Sequence, residues 1–472
     1  MAIFKRSLLS CAFSIAVFVI ATSAQNLCRS GVQSDKLICL VPQVYGPNGL
    51  VLEGSAGDFN NSFLTSNLRP LNSAIARQSI LLPLASPSSG LAFKWDPITK
   101  AFVQSANSFG PILGERAETI GRHRVLLAVS YQYVRFNTID GLSLDNLPQV
   151  FTQPDFTLTT GEKCSLGVND VRECGFIRDV VTTSNSVDLK VHYYSSTITY
   201  GLFDKMDLSV VIPVENVRMG ITSNATIVNN SNTTIHSFAI QNGCGRTTPT
   251  FEPCINQSFS RFGTASGIGD ITLRWKWAAW KAEKAGLALG VDVRLPTGDA
   301  QNFLGSGAAG VKPFVAWSYL SRFSPHISVG YEANGSSVLA GDITVGSKDR
   351  LPSQLTYSGG ADVWVTKRVT LAFDIVGQQV FQASRSSLAD IAEPQACLDT
   401  SGNCDPSKGF AKANMDKDLK QSTGSFSITN ASIGIRMRPF SNLLITGNVL
   451  AKINEGGLRP NWVPLISASY VF

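Results

Sequence analysis

Apolar and polar side chains alternate with period two over twelve stretches of this chain, each about nine to fourteen residues long. That is the length a tilted strand needs to cross a bilayer. The pattern is clearest from Asp270 to Trp277, where Ile271, Leu273, Trp275 and Trp277 fall on one side and Asp270, Thr272, Arg274 and Lys276 on the other. Leu287, Leu289, Val291, Val293 and Leu295 then alternate with Ala288, Gly290, Asp292 and Arg294. The predicted strands are 122–136, 187–201, 206–219, 269–280, 285–296, 310–320, 324–335, 353–366, 368–382, 424–438, 442–454 and 463–472. Alternation by itself serves two architectures. In a soluble sandwich the apolar side is core and the charged side meets solvent; in a lipid barrel the apolar side meets hydrocarbon and the polar side encloses water.

The connectors separate the two. They run alternately long and short, at about 50, 4, 49, 4, 13, 3, 17, 1, 41, 3 and 8 residues. One rim thus carries tight turns such as Phe203-Asp204-Lys205, Arg322-Phe323 and Pro439-Phe440-Ser441, and the other carries long loops rich in Asn, Gly and Ser. A sandwich has no reason to keep its long loops on one end, whereas a bacterial barrel has short periplasmic turns and long extracellular loops. Hydrocarbon offers the backbone no partners, so spanning strands must close into a cylinder. The expected fold is an all-β antiparallel transmembrane barrel of about twelve strands, with ten or fourteen as alternatives. The last strand, Ile466, Ala468, Tyr470 and Phe472 on one side, resembles the C-terminal sorting signal of outer-membrane barrels, with Tyr470 and Phe472 as its aromatic carriers.

The first 24 residues read as a signal peptide: Lys5 and Arg6, an apolar stretch from Leu8 to Ile20, then small residues up to Ala24. The stretch falls short of the roughly 20 residues of a spanning helix. Residues 25–121 lack the alternation and are rich in Gly, Pro, Ser and Asn, which fits either a periplasmic extension or a plug in the lumen; residues 122–472 form the barrel. Eight cysteines follow the signal, in four close neighbours: Cys28 and Cys39, Cys164 and Cys174, Cys244 and Cys254, Cys397 and Cys404. An even set on an exported chain reads as local disulfides, and three of these pairs fall in the three longest loops. Zinc-type CxxC spacing with nearby histidines is absent, and no metal or other cofactor is expected. The net charge of +6 is spread along the chain rather than clustered, which argues against nucleic-acid binding.

Several stretches resemble the bacterial outer-membrane family described as putative "MetA-pathway of phenol degradation" proteins, transporter-like barrels. Gly267-Ile268-Gly269-Asp270-Ile271-Thr272-Leu273 opens a strand, Leu295-Pro296-Thr297-Gly298-Asp299 closes the next, and Gly305-Ser306-Gly307 follows. Ser108-Phe109-Gly110-Pro111 and the strand from Arg124 to Phe136 also carry the likeness, which covers roughly residues 108–472. The resemblance implies an outer-membrane barrel and traffic of small hydrophobic or aromatic compounds.

If the apolar sides meet lipid, the opposite sides line the lumen. Parity assigns Asp270, Arg274, Lys276, Asp292, Arg294, His326, Glu332, Asp362, Asp374, Arg436, Arg438 and Lys452 there, with Arg274, Asp292 and Arg294 on neighbouring strands, and gives His192 the same orientation. Opposed rows of acids and bases bias which solutes pass. No Ser, His and Asp spacing recommends an enzyme. The expected function is passive diffusion of small solutes, hydrophobic or aromatic, across a Gram-negative outer membrane by a monomeric or weakly oligomeric channel. A surface adhesin or structural barrel acting through stapled loops is the alternative. Expected partners are outer-membrane lipid, a small-molecule solute and, during biogenesis, periplasmic chaperones and the barrel-assembly machinery.

Overall fold

The computed structural model describes residues 28–29, 31–52, 109–152, 179–228, 236–238, 254–343, 346–392, 415–440 and 442–472, together with the short strands 93–96, 101–104, 156–157, 163–164, 245–247 and 250–252. Twelve strands form the wall: β1 Val125–Ile139, β2 Val180–Phe203, β3 Met206–Val228, β4 Thr272–Lys281, β5 Ala285–Arg294, β6 Gly310–Tyr319, β7 Phe323–Asn334, β8 Gln354–Thr366, β9 Val369–Ala392, β10 Met415–Met437, β11 Leu443–Lys452 and β12 Trp462–Val471. Each pairs antiparallel with its neighbours in sequence, and β12 returns to β1 with Ile466 opposite Tyr131, so the ring is closed. Closure leaves no unpaired edge along the wall.

All twelve expected strands are present, and their faces invert the soluble pattern. Ile327, Ile433 and Ile466 are 51%, 57% and 61% exposed on the outer surface, while Lys276 and Asp374 are 1% and 3% exposed inside. A sheet that hides lysine and aspartate and shows isoleucine is built for a hydrocarbon solvent. Outward aromatics gather at two levels of the wall. Tyr131, Tyr133, His192 and Tyr194 cluster at one level, and the Tyr470 and Phe472 rings lie 4.6 Å apart at the other. His192 therefore sits on the outer face, its Nδ1 2.9 Å from the Tyr131 hydroxyl, contrary to its expected inward orientation. Along β2 the odd-numbered residues are the buried ones, as Leu189, Val191 and Tyr193 show.

Four strands are about twice as long as the sequence pattern requires. β2, β3, β9 and β10 run 23 or 24 residues against 10 for β4, β5, β6, β11 and β12. The extra turns of pleat rise past the long-loop rim as a flared wall. There β3 gains a further partner, the strand Asn256–Ile268, and β2 gains Leu147–Thr152.

The N-terminal segment enters this frame at two levels. Residues 28–52 lie within the flared wall, tied by the Cys28–Cys39 disulfide. Leu37, Ile38, Leu40, Val41 and Leu50 are buried there. The Tyr45 ring meets Phe151 and Phe259 edge-on, and its hydroxyl lies 2.6 Å from Ser223 Oγ. Residues 109–121 cross the ring at the opposite level and run straight into β1. Cys254 is also disulfide-bonded; the remaining expected pairings fall outside the described residues.

Candidate functional site

Register builds the interior charge network. A three-residue turn joins β4 to β5 and sets Arg274 opposite Asp292, and β6 sets Lys312 opposite the same aspartate. The Arg274 guanidinium grips that carboxylate with Nε to Oδ1 at 2.6 Å and Nη2 to Oδ2 at 2.7 Å, while Lys312 Nζ lies 3.1 Å from Oδ2. Such fork-on-fork geometry fixes both planes as well as the charges. Arg294, adjacent in sequence parity, turns the other way. It pairs with Glu332 of β7, donates to Asn334 Oδ1 at 2.7 Å and lies 3.6 Å from Asp270. Gln354 completes this group by donating to Glu332 at 2.7 Å.

The crossing segment, residues 109–121, supplies the remaining partners. Glu115 pairs with Arg274 and lies 3.4 Å from Lys276 Nζ, which also donates to the Glu118 carbonyl at 2.9 Å. Ser318 donates to the Glu118 carboxylate at 3.1 Å and accepts from the Ala117 N–H at 3.1 Å. On the far wall Arg436 donates to the Phe109 carbonyl at 2.6 Å. Nearer the turns, the Ile120 N–H donates to Asp207 at 3.0 Å and Thr119 Oγ1 donates to the Asp204 carbonyl at 2.8 Å. The segment is strapped across the interior from β9 and β10 to the β2–β3 turn.

His326 lies beneath this strap with a carboxylate on each ring nitrogen: Nε2 is 2.5 Å from Asp374 Oδ1 and Nδ1 is 3.5 Å from Asp362 Oδ1. A Cβ on Gly114 would come within 2.9 Å of the imidazole, so the strap rests directly on it. Between the strap and the flared wall is a cavity of about 240 Å³. Arg274, Asp292, Arg294, Lys312 and Glu332 line one part of it, and Leu113, Val376, Ile428, Leu450 and Val463 line another.

Parity thus brought most of the nominated residues to one interior. Three have different settings. Asp270 fastens a loop: it accepts from Gly298 N–H at 3.1 Å, Ser306 N–H at 2.8 Å and Ser306 Oγ at 2.5 Å. The glycine-rich motifs around it meet at this carboxylate, and at Gly298 a Cβ would lie 2.2 Å from the Leu304 carbonyl oxygen. Lys452 stands at the long-loop rim beside Glu455, 2.8 Å away. Arg438 lies past the end of β10, over the Phe109 ring and donating to the Lys367 carbonyl at 3.1 Å. Sequence reasoning missed Glu115, Glu118, Lys312 and Arg459. For Lys312 the signal was there, since it shares its strand face with Phe314 and Ser318. His236 forms a buried pair with Asp179 at 2.5 Å.

Solved outer-membrane barrels show loose likeness. An outer membrane channel of Pseudomonas putida F1 is 13% identical over 75% of this chain and 98% of its own, with a TM-score of 0.40. A Pseudomonas aeruginosa FadL homologue is 11% identical over 82% and 99%, at 0.30, and the outer membrane protease OmpT of Escherichia coli is 7% identical over 74% and 97%, at 0.24. These scores add nothing to the strand order itself. No curated protein matches the chain. A family model does match, over residues 179–430, from the start of β2 to the middle of β10 and so across most of the wall and its charge network. The chain belongs to the family described as "Putative MetA-pathway of phenol degradation".

Proposed function

We propose that the chain is a passive channel of a Gram-negative outer membrane for compact solutes that are hydrophobic or aromatic with one polar end. One observation carries this reading: an interior cavity of about 240 Å³ whose lining is part ion-paired and part aliphatic. Pockets for drug-sized ligands measure about 300–1,000 Å³, so this smaller space suits a single ring or a short chain. The aliphatic lining favours an apolar body, and the charged lining favours a polar tip over a purely hydrocarbon guest. The family's pathway description is consistent with such solutes. Passage requires the strap to move, because residues 109–121 cross the interior below the cavity. Outer-membrane lipid is the expected surround, with chaperones and assembly machinery during biogenesis. An enzyme is disfavoured by the site: both His326 nitrogens face carboxylates, an arrangement that holds an imidazole in place rather than activating a hydroxyl nucleophile.

The test is reconstitution into liposomes, with uptake of phenol and benzyl alcohol compared with that of glucose and glycine. Faster entry of the aromatic compounds than in protein-free vesicles is expected, with little sugar or glycine flux. Protein-dependent flux of no solute would overturn the channel reading; equal flux of all four would overturn the preference.

A further inference from the structure

Three neighbouring strands carry a row of cations on the outer face. The outward residues of β1 run Leu127, Val129, Tyr131 and Tyr133 before reaching Arg135. Those of β2 run Ile198, Ser196, Tyr194 and His192 before Lys190, and those of β3 run Ile212, Val214 and Asn216 before Arg218. Register sets Arg135 directly opposite Lys190, and Lys190 directly opposite Arg218. Each is the first charged outward side chain of its strand above the apolar band, toward the long-loop rim. Among the described residues the acid of this patch is Asp188, 3.7 Å from Arg135 Nε and 2.5 Å from Lys190 Nζ. Arg218 donates to the neutral Asn216 Oδ1 at 3.3 Å. Three cations against one carboxylate leave a local surplus of positive charge. Arg135, Asp188 and Arg218 are exposed, and ion pairs in such settings contribute little. Like charges set directly across a sheet repel, so a surface shaped for stability alone would alternate signs in this register.

We propose that Arg135, Lys190 and Arg218 bind the phosphate of a glycolipid headgroup in the outer leaflet. Directly opposed residues have Cβ atoms about 4.5–5.5 Å apart, so three long side chains can converge on one phosphate. Arginine offers it two parallel N–H donors, and lysine a point charge. The level suits a headgroup. Tyr131, Tyr133, His192 and Tyr194 lie directly beneath the row, with neighbouring ring centroids 5.0, 5.1 and 6.1 Å apart. Aromatic girdles mark the height at which hydrocarbon gives way to headgroups. Below the rings, Val129 and Ile198 present exposed apolar surface where acyl chains would lie. The phosphate supplies the negative charge that Asp188 alone does not, as anionic lipids do for basic clusters at a membrane surface. The patch is outside the wall and separate from the cavity. It therefore depends on the outer-membrane placement, with long loops outermost, and not on the channel reading.

The test is lipid binding to the full chain in detergent, followed by native mass spectrometry. Diphosphoryl lipid A is compared with the same lipid after enzymatic removal of its phosphates. Wild type should hold the phosphorylated lipid at least tenfold more tightly, and the preference should shrink as salt is raised. The double variant Arg135→Gln, Arg218→Gln should lose most of that preference. Asp188→Asn should bind the phosphorylated lipid more tightly than wild type, because the competing carboxylate is gone, and a misfolded chain would not show such a gain. Equal binding of the two lipids by wild type, or an unchanged preference in the double variant, overturns the assignment. Displacement of the lipid by inorganic phosphate would reveal a free-anion site and overturn the choice of glycolipid. Identical gel mobility of wild type before and after boiling would overturn the barrel placement instead. A lost preference with unchanged phenol uptake supports the patch and separates it from the channel.

Discussion

Replacing Glu115 by Gln tests whether the strap is the closed state of a gate. Glu115 is 8% exposed and serves both Arg274 and Lys276, the latter 1% exposed and 3.4 Å away. Removing one member of a buried ion pair costs about 3–5 kcal/mol, because the remaining charge stays desolvated. Arg274 keeps both of its bonds to Asp292, so the lower end applies, about 3 kcal/mol. The cost falls on the docked strap alone, since an undocked strap exposes Arg274 and Lys276 to water. At about 1.4 kcal/mol per decade the docked-to-undocked ratio drops by roughly a hundredfold. Single-channel recordings in planar bilayers read that ratio as the fraction of time spent conducting. E115Q should conduct far more often than wild type while keeping the usual mobility difference between unheated and boiled samples on a gel. A variant that folds and shows the wild-type open fraction would refute the reasoning, because the pair would then not hold the strap.

Other perturbations probe separate parts of the structure. Ile327→Lys places a charge on the outer face in the middle of β7, where a cation at mid-bilayer costs about 2–4 kcal/mol; the temperature at which the folded gel band disappears should fall, and no fall would remove Ile327 from lipid. Gly201→Ala puts a Cβ 1.8 Å from the Gly121 carbonyl oxygen, where His123 N–H donates to Gly201 O at 2.7 Å, so protease should cleave faster near residue 121 with the barrel intact. Unchanged cleavage would show that the strap's end does not need that close approach. Exchanging Cys28 and Cys39 together for Ser opens a loop of sequence separation 11 and should loosen residues 28–52 by about 3 kcal/mol on the chain-entropy account, seen as faster proteolysis of that segment. Equal proteolysis would place its stability in Leu37, Ile38 and their neighbours.

The wall was legible wherever its two faces meet contrasting surroundings. From Ile271 to Trp277 one side touches hydrocarbon and the other an ion network, so the alternation is as strong as sequence can make it. The upper parts of β2 and β10 have no such contrast. Val180-Val181-Thr182-Thr183-Ser184 and Asp416-Lys417-Asp418-Leu419-Lys420 continue the backbone ladder with no lipid on one side, and their strands ended early on paper. The strand Asn256–Ile268 escaped notice for a related reason: Gly263 and Phe259 face Leu37 and Tyr45 of the N-terminal segment, a partner remote in sequence that no local period encodes. The Arg274–Asp292 pair was foreseeable because a tight turn fixes the register between β4 and β5. Arg294 was not, since its partner Glu332 comes from β7 and depends on how side chains cross the interior.

Glu115 illustrates why the strap could not be read as filler. Without it, the wall's Arg274, Lys276, Arg294 and Lys312 face Asp207, Asp270, Asp292 and Glu332, and Arg274 and the almost fully enclosed Lys276 lose the carboxylate they share. A hydrated pore of this charge pattern would need no extra carboxylate, because water would solvate the lysine. The strap instead delivers one at the level both Arg274 and Lys276 reach, where Lys276 is buried and pairing offsets its desolvation. On the proposed channel reading, an ion-paired interior would resist sugars and other heavily hydrated solutes, which must lose water that the wall's paired groups do not replace. On the same reading, a small apolar body with a single polar end would lose little water on entering and so be favoured before any specific contact is made.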